Sequence, residues 1–365
     1  MRQNLSGVAP ADVQAAGHLT AQEIAHQPEL WPVVAAEVRS AAQRLQLDQK
    51  LRNKRVLVTG AGSSAYAAGA AAAAWAGAVA VPTTDLLVDT ERSLSQVDAV
   101  LSLARSGESP ESAAVVERIR SLRPDIFQLA IVCNSDSALA RAGMDAVISL
   151  DPRTNDRSLV MTSSFSSLVL AGLTLAQPDA VAARVNVNSK RAAALLPEID
   201  GYCRHLAGRV RDRIMVLSSS PLHGWAHEAS LKMLEMTAGN FAVMSETFLG
   251  LRHGPMSFVK PDTFVLCLLS SDPLRRSYEL DLIGELRSKK IGYLVGIDPD
   301  ESDQLFDEKM PAIAPQEDDA LRTSYEIVGP QLLGYHLSLR IGLNPDNPSP
   351  DGIINRIVSG VRIYS

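Results

Sequence analysis

The chain has 365 residues, of which 46% are hydrophobic and 21% charged, so it is long enough for two globular domains that each bury a core. Its 35 Lys and Arg residues stand against 41 Asp and Glu residues, which gives a net charge of −6. No cluster of basic residues stands out. This argues against a nucleic-acid partner, because proteins neutralise a phosphate backbone with a basic stripe.

Short apolar runs alternate with helical patterns along the first half of the chain. Residues 20–51 predict a helical lead-in that Pro28 and Pro32 interrupt. Strands are then predicted at residues 55–59, 99–103, 127–133 and 146–150. Alternation of strands and helices of this kind predicts a parallel sheet with helices on both faces.

The second half of the chain repeats the same order of elements. Strands are predicted at residues 213–217, 263–270 and 291–297. We therefore interpret the chain as a duplicated domain. The boundary is expected in residues 177–202, where charges are scattered. The acidic residues 301–319 are expected to form an exposed insertion, and residues 325–342 the last helix.

These patterns divide the chain into four parts. They are a helical lead-in (1–50), a first domain (51–195), a second domain (196–345) and a carboxyl-terminal tail (346–365). Each domain is expected to have its own parallel sheet, with helices packed on both faces.

Three features bear on the cellular compartment. Residues 65–82 are uncharged but consist mostly of Ala and Gly, which favours a helix packed on a sheet over a membrane span. Residues 1–10 lack the apolar core of a signal peptide. Cys133, Cys203 and Cys267 lie far apart, with neither a disulfide framework nor zinc-ligand spacing. We therefore expect a cytoplasmic protein without a membrane partner.

Two turns rich in glycine and hydroxyl groups follow strands of the first half, at residues 60–64 and 105–109. Both are expected at the carboxyl edge of the sheet, where free helix amides and hydroxyl groups bind anions. The candidate phosphate ligands are Ser63, Ser64, Arg105, Ser106 and Ser109. A nicotinamide cofactor is the alternative ligand for the first turn. It is the less favoured one, because the turn lacks the third glycine of the Gly-x-Gly-x-x-Gly motif.

Two glutamates of the second half are candidates for proton transfer. Glu228 and Glu235 are two helical turns apart, which places both carboxylates on one helix face with Lys232 between them. A solvated stripe of ion pairs would show the same spacing. The apolar neighbours of Glu235 instead favour partial burial, which would raise the pKa of its carboxyl towards that of a general base.

Three histidines are candidates for chemistry. His253 lies between Arg252 and a Gly-Pro pair, which predicts a loop position; an ordinary surface histidine is the alternative. His223 and His227 are four residues apart and could share a metal ion. Their order is not that of His-Glu-x-x-His and no further ligand is evident, so no metal is expected.

Five motifs occur along the chain in one order. They are ARSGESPES at 104–112, MTSSF at 161–165, EASLKMLEMTAG at 228–239, RHGP at 252–255 and GLNPDNP at 342–348. Together they closely resemble the tagatose-6-phosphate ketose/aldose isomerase family, whose members include galactosamine-6-phosphate deaminases. The resemblance covers about residues 20–364. It implies an α/β fold of two tandem sugar isomerase (SIS) domains, each with three layers, α/β/α.

More distantly, both halves are similar to other sugar isomerase domains, including the isomerase half of glucosamine-6-phosphate synthase. That resemblance implies that the serines at 64, 106 and 109 hold the sugar phosphate. It further implies that Glu235 moves a proton between C1 and C2 with the help of Glu228. His253 is implied to open the sugar ring of the neighbouring subunit's substrate.

The chain departs from these relatives at three places. The tail at 355–359 has no lysine, although the synthase forms a Schiff base with a lysine there. Met256 follows His-Gly-Pro where a lysine is usual, and residues 218–220 are serines where glycines are usual. These departures bear on the identity of the substrate more than on the type of reaction.

The resemblance implies an enzyme with active sites shared between the subunits of a homodimer or higher homo-oligomer. Its favoured reaction is the conversion of galactosamine 6-phosphate to tagatose 6-phosphate and ammonia. This chemistry needs neither a metal nor an organic cofactor, because the amine or carbonyl group already acidifies the C–H bond. Three alternatives remain open. They are sugar-phosphate isomerisation without deamination, deamination of glucosamine 6-phosphate, and sugar-phosphate binding by a regulator without catalysis.

Overall fold

The computed structural model describes residues 17–300, 305–358 and 360–364. The signal-peptide prediction for residues 1–10, and the part of the acidic stretch at 301–304, lie outside these ranges. No helix within them has both the length and the apolar sequence that a bilayer crossing requires.

The first sheet has five parallel strands. They are β1 (Val56–Thr59), β2 (Val79–Ala80), β3 (Ala99–Ala104), β4 (Phe127–Val132) and β5 (Ala146–Ser149). Their order is β2-β1-β3-β4-β5. Because β1 and β3 are hydrogen-bonded neighbours, the turns that follow them lie side by side at the carboxyl edge.

The second sheet is also parallel. Its strands are β6 (Arg213–Ser218), β7 (Ala242–Thr247), β8 (Phe264–Leu268), β9 (Tyr293–Ile297) and β10 (Glu308–Met310). Their order is β7-β6-β8-β9-β10, the order of the first sheet with each strand replaced by its counterpart. The predicted duplication and the α/β fold class are therefore confirmed.

Helices cover both sheets. The α-helices are α1 (His18–Ala25), α2 (Gln27–Arg44), α3 (Leu47–Lys50), α4 (Ser63–Ala73), α5 (Thr83–Val88), α6 (Thr90–Ser93), α7 (Pro110–Leu122), α8 (Ala138–Arg141), α9 (Ser163–Ala176), α10 (Pro178–Ala207), α11 (His223–Met236), α12 (Pro273–Lys289), α13 (Asp319–Glu326) and α14 (Val328–Arg340). The largest apolar core takes side chains from both sheets, such as Val58 of β1 and Val216 of β6. The two halves of the chain therefore share a core.

The alanines of α4 allow two other helices to approach it closely. A Cβ atom added to Gly172 of α9 would lie 2.5 Å from the Cβ atom of Ala71. One added to Gly224 of α11 would lie 2.6 Å from the carbonyl oxygen of Tyr66. The predicted Ala-rich helix is thus confirmed, and its small side chains place α11 directly against the start of α4.

The serine-rich start of α9 has a structural explanation. Asp156 is buried and accepts hydrogen bonds from the backbone N–H groups of Thr162, at 2.8 Å, and Ser164, at 2.9 Å. A carboxylate in this position satisfies amide groups that a helix N-terminus leaves unpaired. The motif at 161–165 therefore contains the start of a buried helix.

The stretch 178–202, which makes up nearly all of the expected boundary region, is helical. It belongs to the single helix α10, which begins with Pro178 in its first turn, a favourable position for proline. Its buried residues recur at helical spacing, including Val181, Val185 and Ala192, while most of its charges face solvent. The proposed division at residue 195 falls inside this helix, and the domain limits stay a prediction.

The second half differs from the sequence predictions at two places. Strand β7 was not predicted, because it is an edge strand without the apolar run that marks a buried strand. The acidic stretch was expected to be exposed, which is wrong for part of it, because β10 completes the sheet and Ile313 and Ala314 are buried, donating their N–H groups to Glu326. The predicted last helix is confirmed as α14, although its predicted start at residue 325 still belongs to α13.

Candidate active site

A cavity of about 190 Å³, with several hydroxyl and charged side chains in its lining, lies at the carboxyl edge of the first sheet. It is lined by the turns after β1 and β3, by Glu235 of α11, and by residues 354–358 of the tail. Larger clefts, of about 800, 840, 380 and 280 Å³, lie elsewhere on the described part of the chain and are lined by none of the predicted site residues. The 190 Å³ cavity, which the predicted residues line, is therefore the candidate active site.

The first of the two turns starts helix α4 at the wall of the cavity. Ser63 and Ser64 are its first residues, both buried, and Gly62 before them has a positive φ of 57°. The N-terminus of a helix attracts anions through its unpaired amide groups and its dipole. Both serines predicted for phosphate binding thus line the cavity.

The second turn starts helix α7. Ser109 is the residue before this helix, and Ser106 Oγ accepts a hydrogen bond from the backbone N–H of Glu108 at 3.3 Å. Gly107 has a φ of 63°, and a Cβ atom there would lie 2.6 Å from Ser137 Oγ, so the turn requires glycine. Ser106 and Ser109 line the same cavity as the first turn, as the sequence predicted.

Arg105 lines the cavity, but its guanidinium group is bonded to the protein. Its Nη1 donates to the carbonyl oxygen of Leu159 at 2.9 Å, and its Nη2 donates to that of Arg356 at 2.6 Å. The side chain is buried, and burial lowers the pKa of the guanidinium. The role predicted for Arg105 in phosphate binding stays a prediction.

Three charged side chains of α11 form one group beside the first turn. Lys232 is fully buried, and its Nζ lies 2.6 Å from Glu235 Oε2 and 3.4 Å from Glu228 Oε1. The same ammonium group donates to Ser63 Oγ at 3.2 Å. Lys232 therefore connects both candidate carboxylates to the candidate phosphate turn, 169 residues away in sequence.

The two carboxylates differ in their surroundings. Glu235 is 23% exposed and faces the cavity, whereas Glu228 is fully buried behind it. Burial, together with the charge of Glu235, raises the pKa of Glu228 to about 7 although Lys232 opposes the rise. The partial burial expected at Glu235 is thus present, and Glu228 is buried more deeply still.

The pKa of Lys232 is raised. Burial alone would lower it, but the attraction of Glu228 and Glu235 outweighs that effect. The ammonium group is therefore charged in the neutral pH range. The sequence showed Lys232 at the correct helical spacing, but only the structure shows that it bonds Ser63 and makes Glu235 part of the site.

His253 lies outside the cavity of its own chain. It is exposed, at the end of a short 3₁₀ helix, Gly250–His253. The preceding Arg252 is fixed by Glu285 and Asp281 on α12, each at 2.7 Å. The structure thus joins seven of the eight predicted residues in one place, with Glu228 behind the cavity, and leaves His253 on the surface.

The two histidines that were considered as metal ligands stack their rings on each other. The centroids of His223 and His227 are 5.5 Å apart, and His227 stacks in turn on Tyr66. Burial lowers the pKa of both histidines. Among residues 17–300, 305–358 and 360–364, no group of three His, Cys, Asp or Glu side chains is arranged to hold a metal ion.

The second half has a turn that corresponds to the Arg105–Ser109 turn. It follows β8, the counterpart of β3, and contains Ser270 and Ser271. Asp319 accepts hydrogen bonds from the Ser270 hydroxyl, the Ser271 hydroxyl and the Ser271 N–H. A carboxylate of the chain thus occupies the donors of this second turn.

The chain was compared with known proteins. No protein-family model matches it. It is 34% identical to the D-galactosamine-6-phosphate deaminase AgaS of Shewanella sp. (strain ANA-3), over 94% of this chain and 91% of that protein. Its structure is similar to that of tagatose-6-phosphate ketose/aldose isomerase from Escherichia coli, with a TM-score of 0.86, 30% identity, and coverage of 98% and 100%.

A more distant structure shows how widely the fold is shared. The C-terminal domain of glucosamine-fructose-6-phosphate aminotransferase from Francisella tularensis matches with a TM-score of 0.71 and 19% identity, covering 89% of this chain and 96% of that one. At this identity the likeness shows the fold alone. The identities of 34% and 30%, which extend over nearly the whole chain, show that it belongs to the AgaS family of sugar isomerase (SIS) domain proteins.

Proposed function

We propose that this chain is a deaminating isomerase that converts galactosamine 6-phosphate to tagatose 6-phosphate and ammonia. The observation that carries the proposal is the position of Glu235, whose carboxylate faces a cavity formed by two hydroxyl-rich turns at helix N-termini. The names of the AgaS relative and of the tagatose-6-phosphate isomerase support the choice of substrate and product.

The phosphate of the substrate binds at the two turns. The hydroxyl groups of Ser63, Ser64, Ser106 and Ser109 donate to its oxygens, and the N-terminal amide groups of α4 and α7 supply further donors. This arrangement fixes the phosphate end of an extended sugar. The opposite end of the sugar, with C1 and C2, then points towards α11.

Glu235 is the base of the reaction. In the open-chain amino aldose, Glu235 takes the proton from C2 and returns it to C1. The carbonyl oxygen at C1 gains a proton and the amino group at C2 loses one, so that the aldehyde becomes an alcohol and C2 becomes a ketimine. Water adds to the ketimine, and ammonia leaves to give the ketose. The sum is one hexosamine phosphate and one water in, and one ketose phosphate and one ammonia out.

Lys232 and Glu228 adjust this base. The 2.6 Å contact with Lys232 orients the Glu235 carboxylate, and the 3.2 Å bond to Ser63 ties that orientation to the phosphate turn. Glu228 has a pKa of about 7, so it can exchange a proton within the buried group as the reaction proceeds. We assign Glu228 this supporting role because it is shielded from the cavity.

The proposal includes a homodimer. His253 is exposed and fixed in place through Arg252, so it is available to a second subunit rather than to its own cavity. From there it would protonate and open the sugar ring in the partner's site. All three cysteines are buried free thiols, which supports a reducing, cytoplasmic location.

The decisive experiment measures ammonia and ketose together. The purified chain is supplied in turn with galactosamine 6-phosphate, glucosamine 6-phosphate and tagatose 6-phosphate. Equal amounts of ammonia and tagatose 6-phosphate from the first substrate are expected. Ammonia released from glucosamine 6-phosphate alone would show that this epimer, and not galactosamine 6-phosphate, is the substrate.

A second candidate function is simple isomerisation, which the name of the Escherichia coli structure favours. Its test is aldose formation from tagatose 6-phosphate with no ammonia released from either amino sugar. Tight binding of the amino sugars without any product would instead identify a regulator.

A further inference from the structure

One wall of the cavity is formed by a tail segment that is only partly buried. Residues 354–358 line the cavity, while Ile354 is 37% exposed, Ile357 38% and Val358 54%. These side chains are less buried than those of the core, so apolar burial fixes this segment less firmly than a core element. The position of this wall therefore depends on polar contacts as well.

Two arginines supply those contacts. The Arg356 side chain reaches inward, with Nε 2.8 Å from the carbonyl oxygen of Asp156 and Nη2 2.7 Å from Asn155 Oδ1. From the other side, Arg105 Nη2 donates to the carbonyl oxygen of Arg356 at 2.6 Å while its Nη1 donates to Leu159 at 2.9 Å. The guanidinium of Arg105 thus bridges two separate segments of the chain.

We infer that Arg105 is a positioning residue, which holds residues 354–358 in place as a wall of the sugar-phosphate site and does not itself bind the phosphate. The inference rests on the function proposed for the cavity. A guanidinium carries its donors on a planar fork. In Arg105 both terminal nitrogens of the fork already donate to carbonyl oxygens, Nη1 to Leu159 and Nη2 to Arg356. Arg105 therefore acts on the substrate through the tail.

The test follows the tail and the substrate separately. A fluorophore is attached to Ile353→Cys, which is 84% exposed and outside the cavity lining, while the native cysteines are buried. In Arg105→Gln and in Arg105→Lys, we expect the fluorescence anisotropy of the label to fall. The KM for galactosamine 6-phosphate should rise about tenfold, as for one charged hydrogen bond, with kcat changed less. Arg105 reaches its two carbonyl partners from two separate nitrogens, whereas lysine keeps the charge on one nitrogen at the end of a shorter chain, so both variants should behave alike.

Arg120→Gln is the matched control. Arg120 also donates to a carbonyl oxygen, that of Gly143, but away from the tail, so its anisotropy and KM should stay those of the parent. Should the Arg105 variants fail to fold, Arg356→Gln loosens the same wall from the tail side and should lower the anisotropy and raise KM.

Two outcomes overturn the inference. One is a raised KM with parental anisotropy, which would make Arg105 a direct phosphate ligand. The other is a lowered anisotropy with parental KM, which would make the wall irrelevant to binding. The anisotropy needs no turnover, so a parent chain that releases no ammonia would overturn the proposed function alone.

Discussion

Replacing Glu228 by Gln should stabilise the protein at alkaline pH and change it little at acidic pH. The carboxyl is fully buried, and its pKa is raised from the ordinary 4.5 to about 7. The folded state therefore binds this proton more tightly than the unfolded state does. Between these pKa values the unfolded state carries fewer protons, so the free energy of unfolding falls as pH rises through this window.

The difference between pKa values of 4.5 and about 7 corresponds to about 3 kcal/mol in all, most of it lost between pH 5 and pH 8. Glutamine has the shape of the protonated acid and does not titrate. Urea unfolding of the parent and of Glu228→Gln at both pH values should therefore show the stability advantage of the variant growing by about 2–3 kcal/mol.

Two controls make this measurement specific. Burial and Asp156 also raise the pKa of Glu23 to about 7, but Glu23 titrates equally in both proteins and cancels from the difference. Glu117→Gln removes an exposed glutamate of α7 and reports the loss of a surface charge. A stability difference that stays constant from pH 5 to pH 8 would show that Glu228 does not carry the raised pKa.

Three further predictions concern turnover and substrate binding. Glu235→Gln should lower kcat by roughly two to four decades and leave substrate affinity nearly unchanged, because it removes the proton acceptor but keeps its shape. Ser106→Ala with Ser109→Ala should weaken binding of the phosphorylated sugar by about 1–3 kcal/mol, measured by calorimetry. His253→Asn should be inactive on cyclic substrate, and mixing it with Glu235→Gln should restore activity, since a heterodimer holds one intact site.

Each of these has an outcome that refutes it. Turnover of Glu235→Gln within a few-fold of the parent would move the base to Glu228. If the double serine variant binds the phosphorylated sugar as tightly as the parent does, the phosphate does not bind at the two turns. Turnover of the unphosphorylated amino sugar as fast as that of the phosphorylated one would show the same. If subunits demonstrably exchange and no activity returns, His253 acts within its own chain.

The parts of the site that a single short segment determines could be predicted from the sequence. Hydroxyl groups that directly follow a parallel strand must lie at its carboxyl edge, which located Ser63 and Ser106. The helical spacing placed Glu228 and Glu235 on one face. These inferences need only local geometry, and the structure agrees with them.

The parts that depend on contacts between distant segments could not be predicted. The contact of Lys232 with Ser63 requires α4 and α11 to pack closely, which in turn depends on Gly224. The bond from Arg105 to Arg356 joins residues 251 positions apart. The strand β7 was missed because an edge strand has no uniform apolar pattern, and α10 was missed because its exposed side carries the charges.

The Asp319 carboxylate makes the two corresponding turns of the duplicated fold differ in their access to an external anion. Its oxygens accept from both hydroxyl groups of the Ser270–Ser271 turn and from the Ser271 N–H, so the fold supplies that turn with an internal anion. In the corresponding first-half turn the Glu111 carboxylate accepts from the Ser109 hydroxyl at 2.8 Å, while the turn opens into the cavity. On the function that we propose, the first repeat would receive an anion from solution, and the second would keep its own anion and contribute helix α11 to the site.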